Sequence, residues 1–138
     1  NIQKAYEVLL DDKKKRIYDS SLPFDEEYPR MKEIANDAEF YKEMGKVFHR
    51  NGKFSEIQPA PQLGDEKTEL ADVKKFWKFW EGFKSWRSFN QHDEYSDKDI
   101  ENAEDRYQKR WMDNENKKTR KTYDKAERKR LYDMVNYC

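Results

Sequence analysis

The chain has 138 residues, of which 42% are charged, 35% hydrophobic and 15% aromatic, and its formal net charge is zero. This length suffices for one domain with a core, and a single cysteine, Cys138, excludes an internal disulfide framework. No apolar run approaches the length of a membrane span or of a signal-peptide core.

The first 29 residues are predicted to contain two short helices. Apolar residues at positions 2, 5, 6 and 9 follow helical spacing over Ile2–Leu10, and Asp11 and Asp12 then interrupt the pattern. A short basic helix follows and ends near Ser20, because the residue before Pro23 avoids the helical region. The acidic segment 24–29 is predicted to be irregular. The chain opens within an amphipathic pattern and without an initiator methionine, so we expect it to be part of a longer protein.

The middle of the chain predicts the core. Residues 31–50 are helical in one or two pieces, and Asn51 with Gly52 marks the end. Residues 58–64 contain two prolines and a glycine and are predicted to be a loop. Residues 65–89 are predicted to be the main core helix, with Gly82 as a potential break. Its apolar positions include Val73, Phe76, Trp77, Phe79, Trp80, Phe83 and Trp86.

The last part of the chain predicts one long helix over residues 97–137, since it contains neither Gly nor Pro, and Ser96 is its expected N-cap. Residues 112–122 offer almost nothing apolar, so the helix is predicted to leave the domain body there and run through solvent. Apolar residues resume from Leu131. The expected packing face before the gap consists of Ile100, Ala103, Tyr107 and Trp111. The predicted fold class is therefore all-α, a helical bundle with a long, projecting C-terminal basic helix.

Charge is strongly segregated along this last part. Residues 109–130 contain ten basic and four acidic residues, a local net charge of +6, whereas residues 91–105 carry seven acids and one lysine, a net charge of −6. Cations repeated along a helix can meet successive nucleic-acid phosphates, with binding driven by counterion release. The candidate nucleic-acid-binding residues are Arg106, Arg110, Lys117, Lys118, Arg120, Lys121, Lys125, Arg128, Lys129 and Arg130.

Two plainer interpretations compete with these features. The basic run could be a solvated helix held by ion pairs such as Asp124–Arg128. The tryptophans Trp77, Trp80 and Trp86 could form a base-stacking platform, but phenylalanines interleave with them at helical spacing, which favours a core packed with rings.

Catalytic and metal-binding patterns are not found. His49 and His92 are the only histidines, and neither has a cysteine or histidine at metal-ligand spacing. The four glycines form no phosphate-binding loop. The dense carboxylates of residues 93–101 are more typical of exposed helix N-termini than of an acid–base pair. The sequence therefore predicts a protein that is not an enzyme and needs no cofactor or metal.

Two stretches resemble known families. Residues 2–9 (IQKAYEVL) and 14–20 (KKRIYDS) resemble the end of a J domain, without the His-Pro-Asp tripeptide that J domains need to stimulate a DnaK-type ATPase. Most of the remaining chain resembles the zuotin family of ribosome-associated J proteins. The most specific blocks are Phe83-x-x-Trp86-Arg87-x-Phe89 and the Arg110-Trp111 pair that precedes the basic run. Residues 23–36 depart from the family pattern.

The resemblance implies a domain organisation and a role. Residues 1–20 would be the end of a J domain, and residues 21–138 a zuotin homology domain that binds ribosomes. It implies a cytoplasmic co-chaperone near the tunnel exit that acts on nascent chains. Its partners would be large-subunit rRNA, a ribosomal protein and, through the full-length protein, DnaK-type chaperones. The alternatives are a protein-interaction or rigid spacer module, and a nuclear role linked to DNA binding and transcription.

Overall fold

The computed structural model describes residues 1–137, which form six α-helices and two 3-10 turns and contain no β-strand. The all-α class with a long C-terminal helix is therefore confirmed. None of the helices in residues 1–137 has the length and apolarity needed to cross a membrane. The helices are α1 Ile2–Leu10, α2 Asp12–Ser21, α3 Asp37–Gly52, α4 Leu70–Glu81, α5 Asp97–Glu101 and α6 Arg106–Tyr137, and the 3-10 turns are Met31–Glu33 and Asn90–His92.

Polar side chains set the boundaries of the first three helices. The Asn1 side chain accepts a hydrogen bond from the Gln3 amide at 2.9 Å and starts α1. Asp11 ends α1, and its carboxylate accepts a bond from the Lys14 amide at 3.0 Å to start α2. Asn36 caps α3, which ends at Gly52 as predicted. The separate turn Met31–Glu33 confirms two helical pieces in this region.

The predicted core helix is shorter than expected. Helix α4 covers Leu70–Glu81 rather than residues 65–89, because it ends against Gly82, whose amide donates to the carbonyl of Lys78. The chain beyond it is not helical: the Trp86 amide donates to the carbonyl of Phe54 at 2.8 Å, and Ser85 forms an isolated antiparallel bridge with Ser55.

The predicted last helix is interrupted once. Helix α5 ends at Glu101, and α6 begins after Asp105, whose carboxylate accepts a hydrogen bond from the Gln108 amide at 2.8 Å. Asp is a poor residue for a helix interior because its side chain competes for backbone donors in this way. The prediction of one unbroken helix from Asp97 was therefore wrong over residues 102–105. Residues 111–122 lie within α6, as predicted.

The chain folds as two compact units, and α6 contributes to both. The first unit consists of residues 1–23 and 87–130, and the second consists of residues 24–86 and the chain from Leu131 onward. The predicted domain boundary after residue 20 stays a prediction, because these units are defined by contacts rather than by family.

The second unit contains a ring-rich core. The Phe48 ring lies 4.9 Å from the rings of Phe76 and Trp80, and Trp80 stacks on Phe83 at 4.7 Å. Trp80 is 2% exposed, so its predicted core role is confirmed. Phe83 and Trp86 are half-buried rather than fully buried. The buried cluster comprises Met44, Val47, Phe48, Leu63, Phe76, Trp80, Leu131, Met134 and Val135.

Candidate nucleic-acid interface

The first unit is held together by a polar face of α6. We call Asn116, Arg120, Tyr123 and Glu127 the docking face, since their spacings of 4, 3 and 4 place them on one side of the helix. They contact residues 87–95, which we call the docking segment. The expectation that α6 leaves the domain body over residues 112–122 and runs through solvent was therefore wrong: this part packs through polar groups, which an apolar periodicity does not report.

Asn116 pairs with the backbone of the docking segment. Its side-chain oxygen accepts a hydrogen bond from the Tyr95 amide at 3.0 Å, and its side-chain nitrogen donates to the Tyr95 carbonyl at 2.8 Å. The residue is 1% exposed. A side-chain amide that satisfies both backbone groups of one residue imitates a strand partner, so it fixes the docking segment without apolar burial.

Ring stacking and an ion pair also join the docking face to the docking segment. The Tyr123 ring stacks on His92 at 3.7 Å and on Phe89 at 5.8 Å. Arg120 makes two hydrogen bonds to the Asp93 carboxylate, one of them at 2.7 Å, and this carboxylate raises the pKa of the Arg120 guanidinium. Arg120 is thus occupied within the fold.

Glu127 is buried among cations at the end of the docking face. It is 7% exposed and lies 3.1 Å from a nitrogen of Arg87 and 2.8 Å from a nitrogen of Arg130. Burial raises the pKa of Glu127, but the hydrogen bond from Arg130 and the charges of Arg130 and Arg87 outweigh burial and lower the pKa below its ordinary value.

Helix α2 joins the same unit through Ser20, which is 2% exposed. The Ser20 hydroxyl accepts a hydrogen bond from the Ser88 amide at 2.9 Å and donates to the Arg16 carbonyl at 2.7 Å. The Gln91 side chain donates to the Ser20 carbonyl at 3.2 Å. Residues that resemble the end of a J domain are therefore connected by hydrogen bonds to the docking segment.

Another face of α6 carries cations and faces solvent. At 100° per residue, Arg106, Arg110, Lys117, Lys121 and Arg128 fall within a sector of about 60°, and all five are exposed. We call these residues the cationic stripe. At 1.5 Å per residue it extends about 33 Å along the helix, and its spacings of 4, 7, 4 and 7 keep it on one face.

The other predicted binding residues lie elsewhere on α6. Lys118 pairs with Glu115 at 2.9 Å, and Arg130 is engaged with Glu127. Lys125 and Lys129 are exposed beside the stripe. The list of candidates omitted Lys109, which lines a shallow surface together with Arg106, Arg110 and Lys117, and its position one turn from Arg106 would have pointed to it.

The aromatic residues at the start of α6 are not a packing face. Tyr107 is 82% exposed and Trp111 is 52% exposed, so their predicted burial was wrong. The Tyr95 ring lies 5.5 Å from that of Trp111 on one side. Helical spacing alone predicted burial, but in the described chain the partner surface lies along the docking face instead.

No group of three His, Cys, Asp or Glu side chains lies close enough within residues 1–137 to hold a metal ion. What the geometry offers is a rigid, exposed row of cations on a helix fixed by its polar docking face. This arrangement can bind an extended polyanion.

The comparisons with known proteins point to one family. A family model described as zuotin-like, zuotin homology domain, matches residues 39–138. The chain is 37% identical over 136 residues to DnaJ homolog subfamily C member 2 of Bos taurus, which is 98% of this chain and 21% of that protein. It is 36% identical over 135 residues to zuotin of Saccharomyces cerevisiae, which is 97% of this chain and 30% of that protein. The chain thus spans less than a third of the relatives that it matches.

Proposed function

Because this chain belongs to the zuotin-like family, matching its zuotin homology domain over residues 39–138, we propose that it is the ribosome-binding part of a J-protein co-chaperone. The full-length protein would act on nascent chains in the cytoplasm together with DnaK-type chaperones. This domain would hold the co-chaperone near the tunnel exit through ribosomal RNA and a ribosomal protein.

The cationic stripe carries the proposal. Five exposed cations on one face of a 32-residue helix can neutralise phosphates along a groove or backbone, and each neutralised phosphate releases counterions. The docking face keeps the helix backbone in place, so only the side chains of the cations must be ordered on binding. This lowers the entropy cost of association.

Internal pairing decides which cations contribute most. Arg120 and Arg130 already face carboxylates within the first unit, so phosphate binding there would exchange one anion for another. The stripe residues Arg106, Arg110 and Lys117 lie on a shared surface with Lys109, where four cations outnumber the one carboxylate, that of Asp113. We therefore assign the first half of α6 the larger share of the affinity.

The acidic segment 91–105 takes part in the fold through three of its seven acids. Among the seven acids of residues 91–105, Asp93 pairs with Arg120, and the carboxylates of Asp99 and Asp105 accept hydrogen bonds from the backbone amides of Ser96 and Gln108. The pair with Arg120 thus compensates one of the seven negative charges, whereas the two carboxylates bonded to backbone amides keep theirs.

The test is co-sedimentation of the chain with ribosomes over a salt series. Arg106→Ala with Arg110→Ala should weaken binding, and the slope of log affinity against log salt should fall by about one unit for each lost phosphate contact. Lys117→Ala, Lys121→Ala and Arg128→Ala together should weaken binding further.

Helix α4 provides a matched control. Lys74 and Lys78 are exposed and have the same spacing as Arg106 and Arg110, so Lys74→Ala with Lys78→Ala removes equal charge from another surface. Binding that is insensitive to both stripe variants would contradict the proposal and favour the rigid spacer. An equal effect of the α4 control would indicate unspecific attraction.

A further inference from the structure

The aromatic pair Tyr107 and Trp111 at the start of α6 is largely exposed, although one side of the Trp111 ring lies against Tyr95. The two residues are one helical turn apart and are 82% and 52% exposed. Large exposed rings mark interaction sites when they occur together rather than singly. The pair is therefore available to a partner.

The surroundings of Trp111 are rich in cations. Trp111 lines one surface with Asn114, Glu115, Lys117, Lys118 and Lys121. The only carboxylate in that set, Glu115, is paired with Lys118 at 2.9 Å. By helical rotation, Tyr107 and Trp111 lie about 70–110° round the helix from the middle of the cationic stripe. Rings and cations thus form adjoining rows.

This combination distinguishes two kinds of polyanion. A continuous RNA duplex offers phosphates but keeps its bases stacked inside, so it would contact the cationic stripe and leave the rings unused. An unpaired nucleotide offers a base face beside its phosphate, which matches a ring beside a cation. Tryptophan and tyrosine also serve as protein hot spots, but the cationic border favours an anionic partner.

Resting on the proposed function, we propose that Trp111, assisted by Tyr107, stacks an unpaired RNA base while the adjoining cationic stripe binds the flanking phosphates. The RNA element recognised is then a loop, bulge or single-stranded segment rather than an uninterrupted duplex. The stripe supplies affinity for any RNA, and the aromatic pair supplies the preference for unpaired bases.

The test compares three RNA probes with the chain: a 12-nucleotide oligouridine, a hairpin with an unpaired loop, and a fully paired duplex. Trp111→Leu should weaken oligouridine and hairpin binding by about 5- to 150-fold, the range that base–aromatic stacking supports. Duplex binding and the salt slope should stay unchanged, since no cation is lost. Trp111→Tyr should retain most of the affinity, because it keeps a stacking ring.

Tryptophan fluorescence gives an independent signal. Oligouridine should quench the fluorescence of the wild-type chain, which has four tryptophans, and the quenching should be lost in Trp111→Leu. Since Trp111 is half exposed, the melting temperature should not change, and this measurement checks that the variant is folded.

The outcomes separate this inference from the proposed function. If the stripe variants weaken all three probes but Trp111→Leu weakens none, the stacking inference fails and the RNA-binding function stands. If Trp111→Leu weakens ribosome binding without affecting any RNA probe, the aromatic pair contacts a protein and the inference is overturned. If the wild-type chain binds none of the probes, both fail.

Discussion

At the scale of single residues, Glu127 shows how a basic helix can bury a carboxylate. Its two arginine partners come from different parts of the chain: Arg130 is one turn away, and Arg87 is 40 residues away. Breaking a buried ion pair costs more than forming it contributes, because the remaining charges stay desolvated. The stability of the first unit should therefore depend on this carboxylate.

We expect Glu127→Gln to lower the free energy of unfolding by about 3 kcal/mol, the low end for a broken buried pair, because glutamine keeps an acceptor for arginine. Urea denaturation measures the change. Glu115→Gln is the control, since its pair with the exposed Lys118 should contribute less than about 1 kcal/mol. Equal effects of the two variants would contradict a special role for Glu127.

Glu127 should also make the free energy of unfolding depend on pH. Because the pKa of Glu127 is lower in the folded chain than its ordinary value of 4.5, its stabilisation is complete above pH 4.5 and is lost as the pH falls through the folded pKa. The difference in unfolding free energy between wild type and Glu127→Gln should thus shrink in acid. A difference that stays constant from pH 7 to pH 3 would show that the carboxylate charge is not the cause.

Trp80 is a buried residue of the apolar core, and its contribution to stability can be tested in the same way as that of Glu127. It is 2% exposed and contacts Phe48, Phe76, Phe79 and Phe83. We expect Trp80→Ala to lower the free energy of unfolding by about 3–5 kcal/mol, as large aromatic deletions do. Trp111→Ala is the matched control and should change it by about 0.5 kcal/mol at most. An unchanged Trp80→Ala melting temperature together with lost RNA binding would support base stacking at Trp80.

At the scale of elements, α6 has two polar faces with different roles. Its docking face uses hydrogen bonds, ion pairs and ring stacking, and its cationic stripe lies on a different sector. Only the last two turns, with Leu131, Met134 and Val135, pack through apolar side chains. A helix of this kind has a weak hydrophobic periodicity although it is firmly held, which is why sequence analysis assigned its middle to solvent.

A variant at Asn116 tests whether the polar contacts of the docking face are required for stability. Asn116→Ala should leave both backbone groups of Tyr95 without their partner and lower the stability of the first unit by about 1–3 kcal/mol. Amide hydrogen exchange at Tyr95 should accelerate more than exchange in α4. The exposed neighbour Asn114, changed to Ala, should affect neither. Unchanged protection at Tyr95 would show that the docking segment is held by its other contacts.

At the scale of the whole molecule, a net charge of zero conceals two opposite regions that are adjacent in sequence. The first unit, residues 1–23 and 87–130, contains 18 Lys and Arg against 15 Asp and Glu, a net charge of +3, so it is more basic than the total charge indicates. A basic surface of this kind steers association with a polyanion and makes it salt-dependent. The absence of stimulation of a DnaK-type ATPase by this chain stays a prediction, because it rests on the missing His-Pro-Asp tripeptide.

The sequence by itself determined the helical class, both ends of α1, the end of α3, the start of α5 and the separation of an acidic from a basic segment. These features depend on local chemistry, such as the Asp11 and Ser96 caps, the Gly52 end and the i, i+4 spacing of Arg106 and Arg110. The family resemblance also came from the sequence, and the family match over residues 39–138 confirmed it.

Only the tertiary structure decided which polar residues are used internally and which remain exposed. Arg120 and Lys121 are neighbours in a basic run, but Arg120 meets Asp93, 27 residues away, whereas Lys121 lies on the cationic stripe. The same holds for aromatic residues, since Trp80 is buried and Trp111 is exposed despite similar helical spacing. Burial depends on which distant surface faces a side chain, and hydrogen bonds between distant residues leave no periodic trace in the sequence.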